Sequence, residues 1–144
     1  MAVRVKQITL WRSEVPNRPG ALAGMLGPIA EAGGNLKVVM GYRLPGDESR
    51  AAIEVYPVTG RKVTAAARSV GLSDSSIPTL LVDGDDRPGL GAAIARGVAE
   101  AGINMIFLMA QVIGRRYSAI IGFESVADAR KAATVVKKAK PAKR

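Results

Sequence analysis

The chain reads Asn17-Arg18-Pro19-Gly20-Ala21-Leu22 and, 69 residues later, Asp86-Arg87-Pro88-Gly89-Leu90-Gly91. Each copy runs on through small residues. The first reaches Glu31-Ala32-Gly33-Gly34-Asn35-Leu36, the second Glu100-Ala101-Gly102-Ile103-Asn104-Met105. Of the 20 positions from 17 to 36, nine are identical in the second copy: Arg18, Pro19, Gly20, Ala23, Ala30, Glu31, Ala32, Gly33 and Asn35. A period this long, present twice, marks a duplicated unit. A solenoid needs three or more copies.

Working outward, residues 5–15 alternate in part and are rich in β-branched side chains, which predicts one strand. Asn17-Arg18-Pro19-Gly20 breaks it, because proline fixes its own backbone and pushes Arg18 towards extended geometry. A helix follows with Leu22, Met25, Leu26, Ile29 and Ala30 on one face, and Gly33-Gly34 ends it. Residues 35–43 predict a second strand, Leu44-Pro45-Gly46-Asp47-Glu48 a turn, and 51–58 a third strand. Thr59 is the expected cap of a second helix that closes at Gly71. The second copy repeats the order: strand 77–82, helix 90–101, strand 105–113, turn at Gly114-Arg115-Arg116, strand 117–123 and helix 126–139. Val126, Ala129, Ala133 and Val136 form the expected buried face of that last helix. Aligning Ala52-Ile53 with Ala119-Ile120 gives an offset of 67, so the second hairpin reads as two residues shorter.

Each unit is therefore strand–helix–strand–strand–helix, one strand short of a split βαβ arrangement. Pairing the two first strands, 8–15 and 77–84, would close both open edges at once. This predicts an α+β fold with one continuous six-stranded antiparallel sheet and the helices on one face. The expected boundaries are 1–72 for the first unit, 73–139 for the second and 140–144 for a basic, disordered tail. The two candidate pockets would then lie at opposite ends of one shared sheet.

At 144 residues the chain can bury a real core. With 48% hydrophobic but only 4% aromatic content, that core must be aliphatic. There is no Cys and no His, which removes disulfides, thiolate and imidazole metal sites, Cys nucleophiles and His bases. The net charge is +9, but Lys137, Lys138, Lys140, Lys143 and Arg144 supply five of the 21 basic residues. The first residues carry no apolar signal core, and the longest apolar run, 105–110, is far short of the ~20 residues that span a bilayer. These features predict a cytoplasmic protein with no membrane partner.

The paired phrases, at matched spacing in two copies, resemble the ACT domain, a small regulatory module of amino-acid metabolism. The nearest resemblance is to the regulatory domain of phosphoglycerate dehydrogenases. It covers about 8–139, nearly the whole chain. It implies two ferredoxin-like (ACT) units that bind an amino acid or a similar small metabolite at interfaces between paired domains. It also implies no cofactor and no catalysis, a homodimer, and a regulated enzyme or regulator as partner. Carried over by position, the ligand contacts are Asn17 and Asn35 in the first copy, and Asp86 and Asn104 in the second. Arg18, Pro19, Gly20, Ala21 and Leu22, with Arg87, Pro88, Gly89, Leu90, Gly91 and Met105, complete the implied sites. The family's His two residues before the first Asn is replaced by Val15 and Gly84, which argues against serine as the ligand.

The residues themselves allow such binding. The helix starts near Gly20 and Gly89 offer unpaired N–H groups to a carboxylate. Asn35 and Asn104 can both donate and accept. Asp86, beside Asp83 and Asp85, could hold an ammonium, which favours the second copy for an amino acid. The plainer alternative makes Pro-Gly a strand-to-helix turn and the two asparagines turn residues. The run Met105-Ile106-Phe107-Leu108-Met109 is apolar on both faces and suits a core strand or a homodimer contact. No carboxylate pair or activated nucleophile is visible, so an enzyme is not expected. Base-stacking aromatics are missing from the central strands, against RNA binding. A ligand-free interaction subunit is the other open reading.

Overall fold

The expected first strand is two strands, and they enter different sheets. The computed structural model describes residues 3–141. Their order is β1 (Arg4–Ile8), β2 (Trp11–Pro16), α1 (Ala21–Glu31), β3 (Val38–Leu44), β4 (Asp47–Tyr56), α2 (Arg61–Ser69), β5 (Ser73–Asp74), β6 (Thr79–Asp85), α3 (Leu90–Glu100), β7 (Met105–Ile113), β8 (Arg116–Phe123) and α4 (Val126–Lys137). The fold is α+β with ferredoxin-like units, but the single six-stranded sheet is replaced by two four-stranded antiparallel sheets.

The first unit is Thr9–Ser76, with strand order β3-β4-β2-β5. The second combines the residues up to Ile8 with those from Ile77 onward, in the order β1-β6-β8-β7. The boundary expected at 72/73 gives way to this discontinuous division. The two first strands, β2 and β6, do not pair with each other. β2 lies between β4 and the two-residue β5, through Trp11↔Asp74 and Arg12↔Ser73. β6 lies between β8 and β1, in register from Arg4↔Asp83 to Ile8↔Thr79. The missing fourth strands are thus a short stretch after α2 and the front half of the run read as one strand. Residues 142–144 of the expected basic tail lie outside the described residues.

The repeated phrase is now explained by backbone geometry. Gly20 (φ 87, ψ −7) and Gly89 (φ 84, ψ 3) have the dihedrals of the third position of a type II turn, with proline at the second. The turns close through Ala21 N–H to Arg18 C=O and Leu90 N–H to Arg87 C=O, at 3.3 and 3.1 Å. Both feed directly into a helix. At the far ends, Gly33 N–H reaches Ala30 C=O and Gly34 N–H reaches Ile29 C=O, as Gly102 and Ile103 reach Ala99 and Val98. These are paired Schellman closures. The helix α2 starts at Gly60 with no side-chain cap, so Thr59 does not cap it.

Each sheet carries its helices on one face. The first unit's core joins Ile53 and Val55 of β4 to Trp11, Met25, Ile29, Val63, Ala67 and Leu72. The second joins Leu80, Val82, Ala119, Ile121 and Phe123 to Ile94, Val98, Ala129, Ala132 and Val136. Leu22, Ala30 and Val126, expected inside, are exposed, whereas Ala133 packs partly buried against the core and Ala132 joins the buried face beside it. The sheet register also moves the internal alignment by one residue. Val15 pairs with Ala51 and Gly84 with Tyr117, so β8 follows β4 at an offset of 66 rather than 67. Among the described residues no helix is long and apolar enough to cross a membrane.

Removing residues 1–8 should strip β6 of one neighbour. Amide exchange across Thr79–Asp85 is expected to speed up by roughly tenfold or more, while β2 and β4 keep their protection. Equal loosening in both units, or in neither, would contradict the discontinuous division.

Candidate functional site

In the first unit a cavity of about 340 Å³ opens where the Arg-Pro-Gly turn meets the sheet. Asn17, Arg18, Ala21 and Leu22 line it from the turn and the start of α1. Gly41, Tyr42 and Arg43 of β3, with Ala51, Ala52 and Ile53 of β4 and Val15 of β2, form the rest. Its volume lies at the small end of the range for small-molecule sites.

Two devices set its rim. Asn17 donates its backbone N–H to Ser49 C=O at 2.8 Å and its side-chain Nδ2 to Glu48 C=O at 2.9 Å, which pins the turn to the β3–β4 hairpin. Within that hairpin, Asp47 accepts from both the backbone and the hydroxyl of Ser49, and these bonds hold its carboxyl below the usual range. Arg18 and Arg43, by contrast, make no side-chain hydrogen bond or ion pair among the described residues. No lining residue is acidic.

Tyr42 also carries the link to a buried charge. Its hydroxyl donates to Glu54 Oε2 at 2.9 Å, and Glu54 is fully buried. Burial, and then this bond, push the Tyr42 hydroxyl up. Arg12 lies 3.9 Å from Glu54 Oε1 but gives its hydrogen bond to Glu14, at 2.6 Å. Arg12 Nε and Glu54 Oε1 are left without a hydrogen-bond partner among the described residues.

The other expected contacts are distributed differently. Pro19 and Gly20 build the turn without lining the cavity. Asn35 is exposed and outside the lining. In the second unit Asp86, Arg87, Pro88, Gly89, Gly91 and Asn104 are exposed, Met105 packs against the core, and Leu90, 3% exposed, belongs to that core. Asp83 and Asp85, which could have assisted an ammonium, are held by arginines: Arg4 to Asp83 at 2.9 Å and Arg116 to Asp85 at 3.1 Å.

At this place the units differ in a side chain of the sheet. Tyr117 occupies the sheet position that Ala51 holds in the first unit. Its ring is in the core, and its hydroxyl lies 3.7 Å from where a Cβ on Gly91 would stand. Gly91 is the counterpart of Leu22. The ring therefore runs from β8 to the start of α3, across the position that borders the cavity in the first unit. Ala51 and Tyr117 differ between the copies, so the repeat itself carries no signal at this position.

Tyr117 is 6% exposed, and its hydroxyl has no partner among the described residues. Burial first, then the charge of Asp86, push this hydroxyl up. A tyrosine whose folded pKa is raised contributes stability that is complete below its unfolded value of about 10 and is lost as pH rises through the folded value. Tyr117→Phe should remove both the orphaned hydroxyl and that loss. In denaturant melts we expect it to stabilise by about 1 kcal/mol at neutral pH and to flatten the alkaline decline above about pH 10. A loss of stability at neutral pH would mean that the hydroxyl is satisfied in solution.

No family model and no curated protein matches the sequence. Solved structures do match the fold. A Bacteroides thetaiotaomicron protein superposes at TM-score 0.74 with 10% identity, over 90% of this chain and 88% of its own. The ligand-free regulatory subunit of aspartate kinase from Thermus thermophilus superposes at 0.64 with 21% identity, over 96% and 97%. The regulatory subunit of aspartate kinase from Thermus flavus gives 0.59 and 20%, over 94% and 95%. At these identities the likeness is one of fold, and it extends over most of the length of both chains.

Proposed function

We propose that this chain is a non-enzymatic regulatory protein of the ACT type, which takes an amino acid or similar small metabolite in the first unit's cavity. The observation that carries the reading is the cavity itself, set at the turn where the family resemblance puts ligand contacts, with Asn17, Arg18, Ala21 and Leu22 in its wall. The second unit, filled at the same place by Tyr117, serves as scaffold rather than as a second site. This reverses the preference for the second copy that its aspartates suggest. The tandem fold it shares with aspartate kinase regulatory subunits supports action on a partner enzyme or regulator.

The mechanism is a population shift. A ligand that binds one arrangement of the protein better than another moves the equilibrium by its differential affinity. A homodimer fits the exposed apolar residues of β7, an edge strand with Ile106, Leu108, Met109, Val112 and Ile113 on its surface and no charged residue along its length.

Thermal shift across the twenty amino acids and related acids tests the reading. A ligand at 100 times its Kd should stabilise the protein by about 2.7 kcal/mol. Ala51→Tyr copies the second unit's plug into the first. It is expected to abolish the shift while keeping a cooperative melt. A shift that survives Ala51→Tyr would move the site elsewhere, and no shift with any compound would favour a ligand-free interaction subunit.

A further inference from the structure

We infer that the first unit's cavity selects a small two-headed carboxylic acid over a neutral zwitterion. The inference rests on the cavity being the ligand site and adds the ligand's charge and shape. Two arginines, Arg18 before α1 and Arg43 on β3, line one small cavity from two different elements. Neither is spent on a protein carboxylate or carbonyl among the described residues. The lining offers no carboxylate to balance the ammonium of a zwitterion, so its charged side chains favour a ligand with net negative charge. Arginine is suited to planar, paired recognition of carboxylates.

The spacing element is apolar. Between the turn and β3 the wall is Val15, Leu22, Ala51 and Ile53. A compact inorganic anion would leave that surface uncovered, whereas a short methylene chain between two acid heads would cover it. The comparison between units points the same way. Arg43 pairs with Ala51, and the corresponding pair in the second unit is Val112 with Tyr117. The second cation and the open space occur together in the first unit, and both are replaced in the second. Arg87, the repeated counterpart of Arg18, therefore stands across from Tyr117 and Val112 where Arg18 has Ala51 and Arg43.

Titration calorimetry on the full chain with three probes of one carbon skeleton separates charge from shape. Succinate carries two negative charges, aspartate a net one, and asparagine none. Affinity should fall in that order. Arg18→Ala and Arg43→Ala should each weaken succinate roughly tenfold, and added salt should weaken it further. Arg87→Ala should leave it unchanged, and Arg18→Lys should recover part of the loss. Asparagine binding as tightly as succinate, unmoved by either alanine variant but lost in Ala51→Tyr, would overturn the charge assignment and leave the cavity reading standing. Inorganic phosphate matching succinate would overturn the two-headed acid. If no probe binds the folded wild-type protein, the inference is wrong whatever the outcome of the wider ligand panel.

Discussion

A strand at the centre of a sheet has to satisfy its backbone on both sides, and that requirement organises this molecule. β2 and β6 each lead into one copy of the Arg-Pro-Gly turn, and each sits in the middle of a sheet. Each needs a neighbour beyond the one its own hairpin supplies. β2 finds only two paired residues, in β5. β6 finds five, in β1, which arrives from the other end of the chain. The chain meets this need by dividing one β-rich run at Thr9-Leu10. Leu10 is fully buried, and its carbonyl accepts from Ser75 at 2.7 Å, so the break is itself held in place.

That division also shows where reading the sequence reaches its limit. The duplication, the element order and the α+β class were legible because they rest on local chemistry. Pro-Gly can be read as a type II turn and Gly33 or Gly102 as a helix closure from a few residues. Pairing partners are not local. Ile8 and Leu10 sustain a strand-like pattern through the break, and nothing in that pattern says that the halves belong to different sheets. β5, two residues long, is too short to leave a periodic signal. The one-residue error in aligning the hairpins has a similar origin. Ala52-Ile53 and Ala119-Ile120 look alike, but a slip of one exchanges the faces of a strand. In the structure Ile53 corresponds to Ala119, and both face the helices.

The candidate site was legible only in part, for a related reason. Repeated residues draw attention, and here most of them serve backbone geometry that both units need. Gly20 and Gly89 take a left-handed conformation whether or not a ligand is near. Asn17, Arg18, Ala21 and Leu22 were found because the cavity happens to open beside that turn. Arg43 and Ala51 were not, because they matter through what they are not in the other copy: Val112 and Tyr117. Identity between the copies reports the shared scaffold. A difference between them, at a position the sheet register makes equivalent, reports the cavity.

The cavity wall is stiffened from the other side of its strand. Tyr42 and Ala52 pair across β3 and β4, and Glu54 is two residues further along β4, on the same face as Ala52. A carboxylate buried without partners would be costly, so the hydroxyl of Tyr42 is held to it and cannot turn away freely. Arg43, the next residue on β3, is carried by that anchored backbone towards the cavity. A guanidinium held by a fixed strand loses less freedom on meeting an anion than one on a loose loop. Arg18 is set by the type II turn and by Asn17's clamp on Glu48. Both arginines of the cavity thus stand on backbone that is fixed for structural reasons, which is how a turn repeated for folding can come to border a cavity.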